Sequence, residues 1–169
     1  MKEFGMGKVV LGVFCALFCS GSAMAETTAV KAGQAFGGWV FRCTAIAQGK
    51  TSCAFVSTIL SGDKKHVVAE VEVTRASTGK GETLSALLPL GTDLQAGVKG
   101  AVDGGAAFDL PLRLCLPKGC VAATGLDDKA TAALRTGKAF AFTFTIAGKS
   151  AKATVPLTGL SDALTAANW

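Results

Sequence analysis

The stretch that decides the fold is Lys138-Ala139-Phe140-Ala141-Phe142-Thr143-Phe144-Thr145-Ile146-Ala147. Phe140, Phe142, Phe144 and Ile146 fall on one side of an extended chain, and Ala139, Ala141, Thr143 and Thr145 on the other. Four large apolar side chains on one strand face must be covered, so the stripe reads as core rather than ligand pocket. Gly148-Lys149 turns the chain back into Ser150 to Leu157, where Ala151, Ala153, Val155 and Leu157 alternate with polar residues. Together these segments predict an antiparallel hairpin.

The same period of two recurs upstream. Trp39, Phe41 and Cys43 share a face. Cys53 to Leu60 is apolar on both faces, as a central strand would be. His66 to Arg75 places Val67, Ala69, Val71 and Val73 opposite His66, Glu70, Glu72 and Thr74, the pattern of a half-buried strand. Thr83 to Leu90 is an apolar run in which Pro89 marks an edge or an end, because proline cannot donate to a ladder. Val98 to Val102 precedes the turn signal Asp103-Gly104-Gly105, and Phe108, Leu110, Leu112 and Leu114 are expected to share a face of one further strand. Asp127-Asp128 can cap a helix over Lys129 to Arg135 that Gly137 stops, and Ser161 can cap Asp162 to Ala167. Helices this short must dock on the sheet to persist. The pattern predicts an all-β, antiparallel β-sandwich of about eight or nine short strands with one or two short helices.

The first 25 residues stand apart. Lys2 and Lys8 precede eleven apolar or small residues, Val9 to Cys19, and Ala23-Met24-Ala25 completes an A-x-A signature. The run is half the roughly 20 residues needed to span a bilayer. Cys15 and Cys19 each follow a phenylalanine, unlike lipid-modified cysteines, which usually follow a small residue. The reading is a cleavable signal peptide over residues 1–25, cut between Ala25 and Glu26. A flexible arm is expected over 26–37 and a single domain over 38–169, with no integral membrane segment after cleavage. The chain then works in the periplasm, on the outer cell surface or secreted.

Cleavage leaves four of the six cysteines, and an even number in an exported chain reads as two disulfides. Four cysteines permit three pairings. The local one, Cys43 with Cys53 and Cys115 with Cys120, is expected because each pair flanks a turn: Ala47-Gln48-Gly49-Lys50 and Leu116-Pro117-Lys118-Gly119. The spacings suit neither a C-x-x-C redox pair nor a four-cysteine zinc site.

Chemistry is sparse. His66 is the single histidine and reads as a surface residue. Glu70 and Glu72 share a strand face, the arrangement of an acid/base pair, but read as a solvated face. Asp127-Asp128 could hold a cation, but a helix cap accounts for them. No nucleophile-elbow, zincin, P-loop or dinucleotide motif occurs, and no tyrosine. The expectation is no catalytic residue, no cofactor and no metal. Of 17 basic and 12 acidic residues, Lys2, Lys8 and Glu3 lie in the leader, so cleavage leaves a net charge of +4. The lysines are scattered rather than clustered with aromatics, which argues against nucleic acid as a partner.

Several short blocks occur in order along the chain. They are Gly38-Trp39-Val40-Phe41-Arg42-Cys43, then Cys53, Leu88-Pro89-Leu90-Gly91, Gly97-Val98 and Val102-Asp103-Gly104. Cys115-Leu116-Pro117-Lys118-Gly119-Cys120 and Leu157-Thr158-Gly159-Leu160 with Ala163-Leu164 follow. This set resembles the invasion-associated locus B family, small exported proteins of alphaproteobacteria and their relatives named for a role in host-cell invasion. Leu160 stands where that family often has Phe. The resemblance implies a compact β-sandwich in the periplasm or on the outer surface, without catalytic residues or cofactor. It makes the four cysteines structural positions and places Trp39 in the core against the Cys43 bridge. On this reading the chain is a non-enzymatic binding module linked to host-cell invasion (virulence) or envelope function, touching an unknown protein or an envelope or host-surface partner. Its candidate contact loops are Gly62–Lys65, Thr78–Gly81 and Gly100–Ala106, since function tends to sit on loops. The alternative is a periplasmic structural or stress-protective protein without a dedicated host partner.

Overall fold

The structure, a computed structural model, describes residues 29–46 and 49–169. The leader, the cleavage point between Ala25 and Glu26, and the turn positions Ala47 and Gln48 lie outside them.

Among the described residues, eleven strands and two helices follow one another as β1 (Ala35–Phe36), β2 (Trp39–Ala45), β3 (Thr51–Leu60), β4 (Val67–Arg75), β5 (Glu82–Leu88), β6 (Val98–Val102), β7 (Phe108–Leu110), β8 (Leu112–Leu116), β9 (Gly119–Gly125), α1 (Asp128–Thr136), β10 (Ala139–Ile146), β11 (Lys149–Pro156) and α2 (Leu160–Ala166). The strands form a seven-stranded sheet in the order β1-β2-β3-β4-β5-β9-β8 and a four-stranded sheet in the order β11-β10-β6-β7. Every pairing is antiparallel.

The two inner faces supply the core, as alternation demands. Phe140, Phe142, Phe144 and Val155 of the small sheet are buried together with Phe55, Val71, Val73, Leu84, Ala86 and Ala122 of the large one. The phenylalanine stripe is therefore core, and its rings stack in sequence along β10. Trp39 is fully buried and donates its indole N–H to the Pro156 carbonyl at 3.1 Å, tying β2 to the end of β11. Phe41 stands between Trp39 and Cys43 along that strand, opposite Phe55 on β3.

Four expectations need correction. The segment read as a flexible arm is docked over its described part. Ala35–Phe36 pair with β2, Gly33 N–H bonds to the Phe41 carbonyl, and Val30 and Phe36 pack on the core. The single strand expected through Leu114 breaks at Pro111, where the chain leaves the small sheet as β7 and joins the large one as β8. Gly119–Gly125 is an additional strand inside the large sheet, which its small residues concealed. With β1 and the break at Pro111, it raises the strand count above the eight or nine expected. Finally, α2 begins two residues earlier than expected. Gly159 is its N-cap, in the left-handed region at φ 88°, and Ser161 lies inside the first turn. For α1, Asp127 does cap the helix, accepting from Ala130 N–H at 2.7 Å.

The disulfides join directly opposed residues. Cys43 lies across from Cys53 in the β2–β3 ladder, and Cys115 across from Cys120 in the β8–β9 ladder. Both helices close one end of the sandwich. Leu134 of α1 and Leu160, Ala163 and Leu164 of α2 enter the core. There Glu82, almost fully buried, accepts from Arg135 at 3.2 Å and from Thr131 at 3.1 Å.

Candidate functional site

The residues that could carry chemistry are spread over the molecule. His66 is exposed in the β3–β4 turn. Asp127 is occupied as a helix cap, and Asp128 sits in the first turn of α1. Glu70 and Glu72 project from the outer face of the large sheet, as their spacing predicts. Glu70 pairs with Arg42 at 3.0 Å and accepts from Thr58 at 3.2 Å. Glu72 lies in the cross-strand row Val40–Val56–Glu72–Ser85–Ala123. Burial against that row pushes its carboxyl above the usual range; Glu70 adds to the effect and Arg42 opposes it. A shallow groove of about 280 Å³ runs past Arg42, Ala54, Val56, Glu72 and Thr74. His66 does not line it. Among the described residues no group of three His, Cys, Asp or Glu side chains is placed to hold a metal ion. No buried side-chain nitrogen or oxygen lacks a hydrogen-bond partner there.

The three candidate loops separate between the two ends of the sandwich. Thr78–Gly81 follows β4, and Gly100–Ala106 divides into the end of β6 and a turn at Asp103–Ala106. Both lie at the end closed by α1, where Leu126 N–H reaches the Glu82 carbonyl and Asp103 accepts from the Lys138 and Ala139 amides. Gly62–Lys65 lies at the other end, where neither of the described helices packs.

That open end is built by topology. β3 and β5 finish there at Leu60 and Leu88; β4 and β9 start there at Val67 and Gly119; β8 finishes there at Leu116. The connector from Pro89 to Gly97 crosses it from the large sheet to the small one. It is pinned by a bridge from Thr92 to Ile146 and by Asp93 N–H on the Thr145 carbonyl. Six of the seven large hydrophobic side chains exposed among the described residues gather at this end: Leu60, Val67, Leu90, Leu94, Leu114 and Leu116. The seventh, Ile46, sits beside the β2–β3 turn. Val67, Val68, Leu87, Leu90 and Lys118 line one depression of about 320 Å³, and Leu94 lines a second beside Leu110 and Pro111. Single exposed leucines are ordinary, whereas a contiguous exposed group marks a contact surface.

Lysines rim the patch. Lys64, Lys65 and Lys118 sit on its turns and Lys149 begins β11 at the same end, and none of them makes an ion pair among the described residues. The nearby carboxylates are engaged. Asp63 accepts from Ser61 and from Lys65 N–H inside its own turn, and these bonds, Ser61 first, hold its carboxyl below the usual value. Asp93 accepts from the Gln95 and Ala96 amides. Asp109 pairs with Lys99 and Glu70 with Arg42. The β3–β4 turn is self-bonded, with Ser61 N–H on the His66 carbonyl and Lys64 N–H on the Ser61 carbonyl. Lys64 itself sits in the left-handed region at φ 58°, a strained position for a non-glycine residue.

Sequence reading named only Gly62–Lys65 from this surface. Leu90 and Leu116 carried a signal, being apolar beside Pro89 and Pro117, where strands stop. Their convergence depends on strand order, which periodicity does not encode.

Comparison with known proteins agrees with this architecture. A family model described as Invasion associated locus B (IalB) protein matches residues 39–168. The crystal structure of invasion associated protein B from Bartonella henselae superposes with a TM-score of 0.66 at 28% identity, covering 78% of this chain and 91% of that one. The invasion protein B homologs of Brucella abortus strain 2308 and of its biovar 1 strain 9-941 are each 30% identical over 99 residues. Those alignments cover 59% of this chain and 56% of the relatives, so the match spans about half the length of each curated relative. Trp39, the four cysteines and Gly159 all fall inside the matched region, and by its sequence and its sandwich the chain belongs to the invasion associated locus B family.

Proposed function

We propose that this chain is a non-enzymatic binding module, exported to the periplasm or the outer cell surface, that meets its partner through the open end of the sandwich. One observation carries the reading: the exposed aliphatic side chains are concentrated at that end instead of being scattered. Residues that could form a catalytic group are dispersed: Asp127 caps a helix, Glu70 pairs with Arg42, and His66 stands apart from both in the β3–β4 turn. The Bartonella and Brucella relatives are named for invasion, which makes contact at the cell envelope during host entry the setting we favour.

The test is recovery of bound material from envelope extracts by chemical cross-linking. The chain with Leu90→Ser and Leu116→Ser is compared with a chain altered at the helical end, Lys80→Glu with Lys129→Glu. The reading expects loss of cross-linked material for the first and no change for the second. Equal recovery by all three proteins contradicts it, and would leave a structural role in the envelope as the better account.

A further inference from the structure

We infer that the partner of the open end is an anionic phospholipid surface, an inference that rests on the binding role proposed above. Three features point to lipid in particular. The six exposed side chains are all leucine or valine, carried on turns, on strand ends and on β8 at one pole of the molecule. Protein-binding hot spots instead favour Trp, Tyr and Arg. Leu90, Leu94, Leu116 and Val67 can enter the boundary between headgroups and acyl chains, as the apolar side of an interfacial element does. Second, the charge surrounding them is complementary to an anionic headgroup layer. Lys64, Lys65, Lys118 and Lys149 stand at this end without ion pairs among the described residues; Asp109 and Glu70 are matched by Lys99 and Arg42, and the two carboxylates held only by neutral donors, Asp63 and Asp93, are outnumbered by the four lysines. Each free lysine near such a surface strengthens association by roughly fivefold at physiological salt. Third, the turn bearing Lys64 and Lys65 is held by its own hydrogen bonds, so little ordering is required on contact.

No helix among the described residues is long and apolar enough to cross a membrane, so the association inferred is peripheral. Apolar contact and lysine attraction act together, and neither alone gives stable attachment.

The experiment is vesicle co-sedimentation of the purified, oxidised chain in the processed form in which it leaves the cell. Two vesicle preparations are used: pure phosphatidylcholine, and equal parts phosphatidylcholine and phosphatidylglycerol. The expected result is binding to the anionic vesicles, at least tenfold weaker binding to the neutral ones, and weakening by added salt. Lys64→Glu with Lys65→Glu and Lys118→Glu should weaken binding at least tenfold. Leu90→Ser with Leu116→Ser should weaken it at any salt concentration. Lys80→Glu with Lys129→Glu, at the helical end, should leave it unchanged. Because all these side chains are exposed, circular dichroism should show the same fold in every variant. Absence of binding to anionic vesicles, or equal binding by all variants, overturns the inference. If vesicles are not bound while the leucine variant still loses its cross-linked envelope protein, the lipid assignment fails and the binding role survives. If both assays are insensitive to the open end, both fail.

Discussion

Gly37 and Gly159 meet backbone to backbone. A Cβ on Gly159 would lie 2.3 Å from the Phe36 carbonyl oxygen, and one on Gly37 would lie 2.4 Å from the Thr158 carbonyl oxygen. Both have positive φ, 58° and 88°. This crossing brings the β1–β2 turn against the start of α2, so the first and last elements of the domain lock together. Gly159→Ala combines a disfavoured backbone region with a collision against main chain that cannot move aside. It should cost about 3 kcal/mol. Urea unfolding followed by tryptophan fluorescence measures this; an unchanged midpoint would show that the crossing is loose.

Trp39 serves the same junction from the core side. Trp39→Phe removes the donor to the Pro156 carbonyl and leaves unfilled space. The expected loss is roughly 1–2 kcal/mol, read as a lower unfolding midpoint with an unaltered slope.

The two bridges close short loops. Reducing both, or replacing Cys43 and Cys53 by serine in one protein and Cys115 and Cys120 in another, should cost roughly 2–3 kcal/mol for each bridge. Peptide mapping under non-reducing conditions should recover the pairs Cys43–Cys53 and Cys115–Cys120. Any crossed pair would refute the ladder register around them.

Two carboxylates should shape stability against pH in opposite senses. Asp103 accepts from the Lys138 and Ala139 amides, and those bonds, Lys138 first, depress its carboxyl below its ordinary value near 3.8. Its contribution is present above that value and is lost as pH falls through the depressed folded value. Asp103→Asn should therefore be less stable than the parent at pH 7, the difference closing in strong acid. Glu72 is raised above its ordinary value near 4.5, by burial first. Its ionised form is penalised in the folded state, fully so above the raised value and not at all below pH 4.5. Glu72→Gln should be more stable than the parent at pH 7, and the gain should vanish in acid. Thermal melts across pH check both signs.

How much the sequence discloses depends on how local the cause is. The Phe140–Phe142–Phe144 stripe and the β4 alternation declare themselves because side-chain direction repeats every two residues. The cysteine pairs are legible because each flanks its own turn. Gly119–Gly125 was hidden: Gly, Ala, Thr and Cys with one Val give little strand signal, and its place between β5 and β8 comes from its neighbours. Pro111 was visible as a proline, but a change of sheet there is a tertiary event. The open end was the least legible feature. Leu60, Leu90 and Leu116 are far apart in sequence and share one end of the sandwich only because five strand termini lie there.

If the open end is the surface that meets the partner, cells should shield it. Carbene footprinting of the chain in intact cells is compared with the purified chain, with labelling located by mass spectrometry. Protection in cells is expected only in the segments holding Leu60 to Val67, Leu87 to Leu94 and Leu114 to Lys118. Unchanged labelling there, or protection centred on Thr78–Gly81 and Asp103–Ala106 at the helical end, would contradict it.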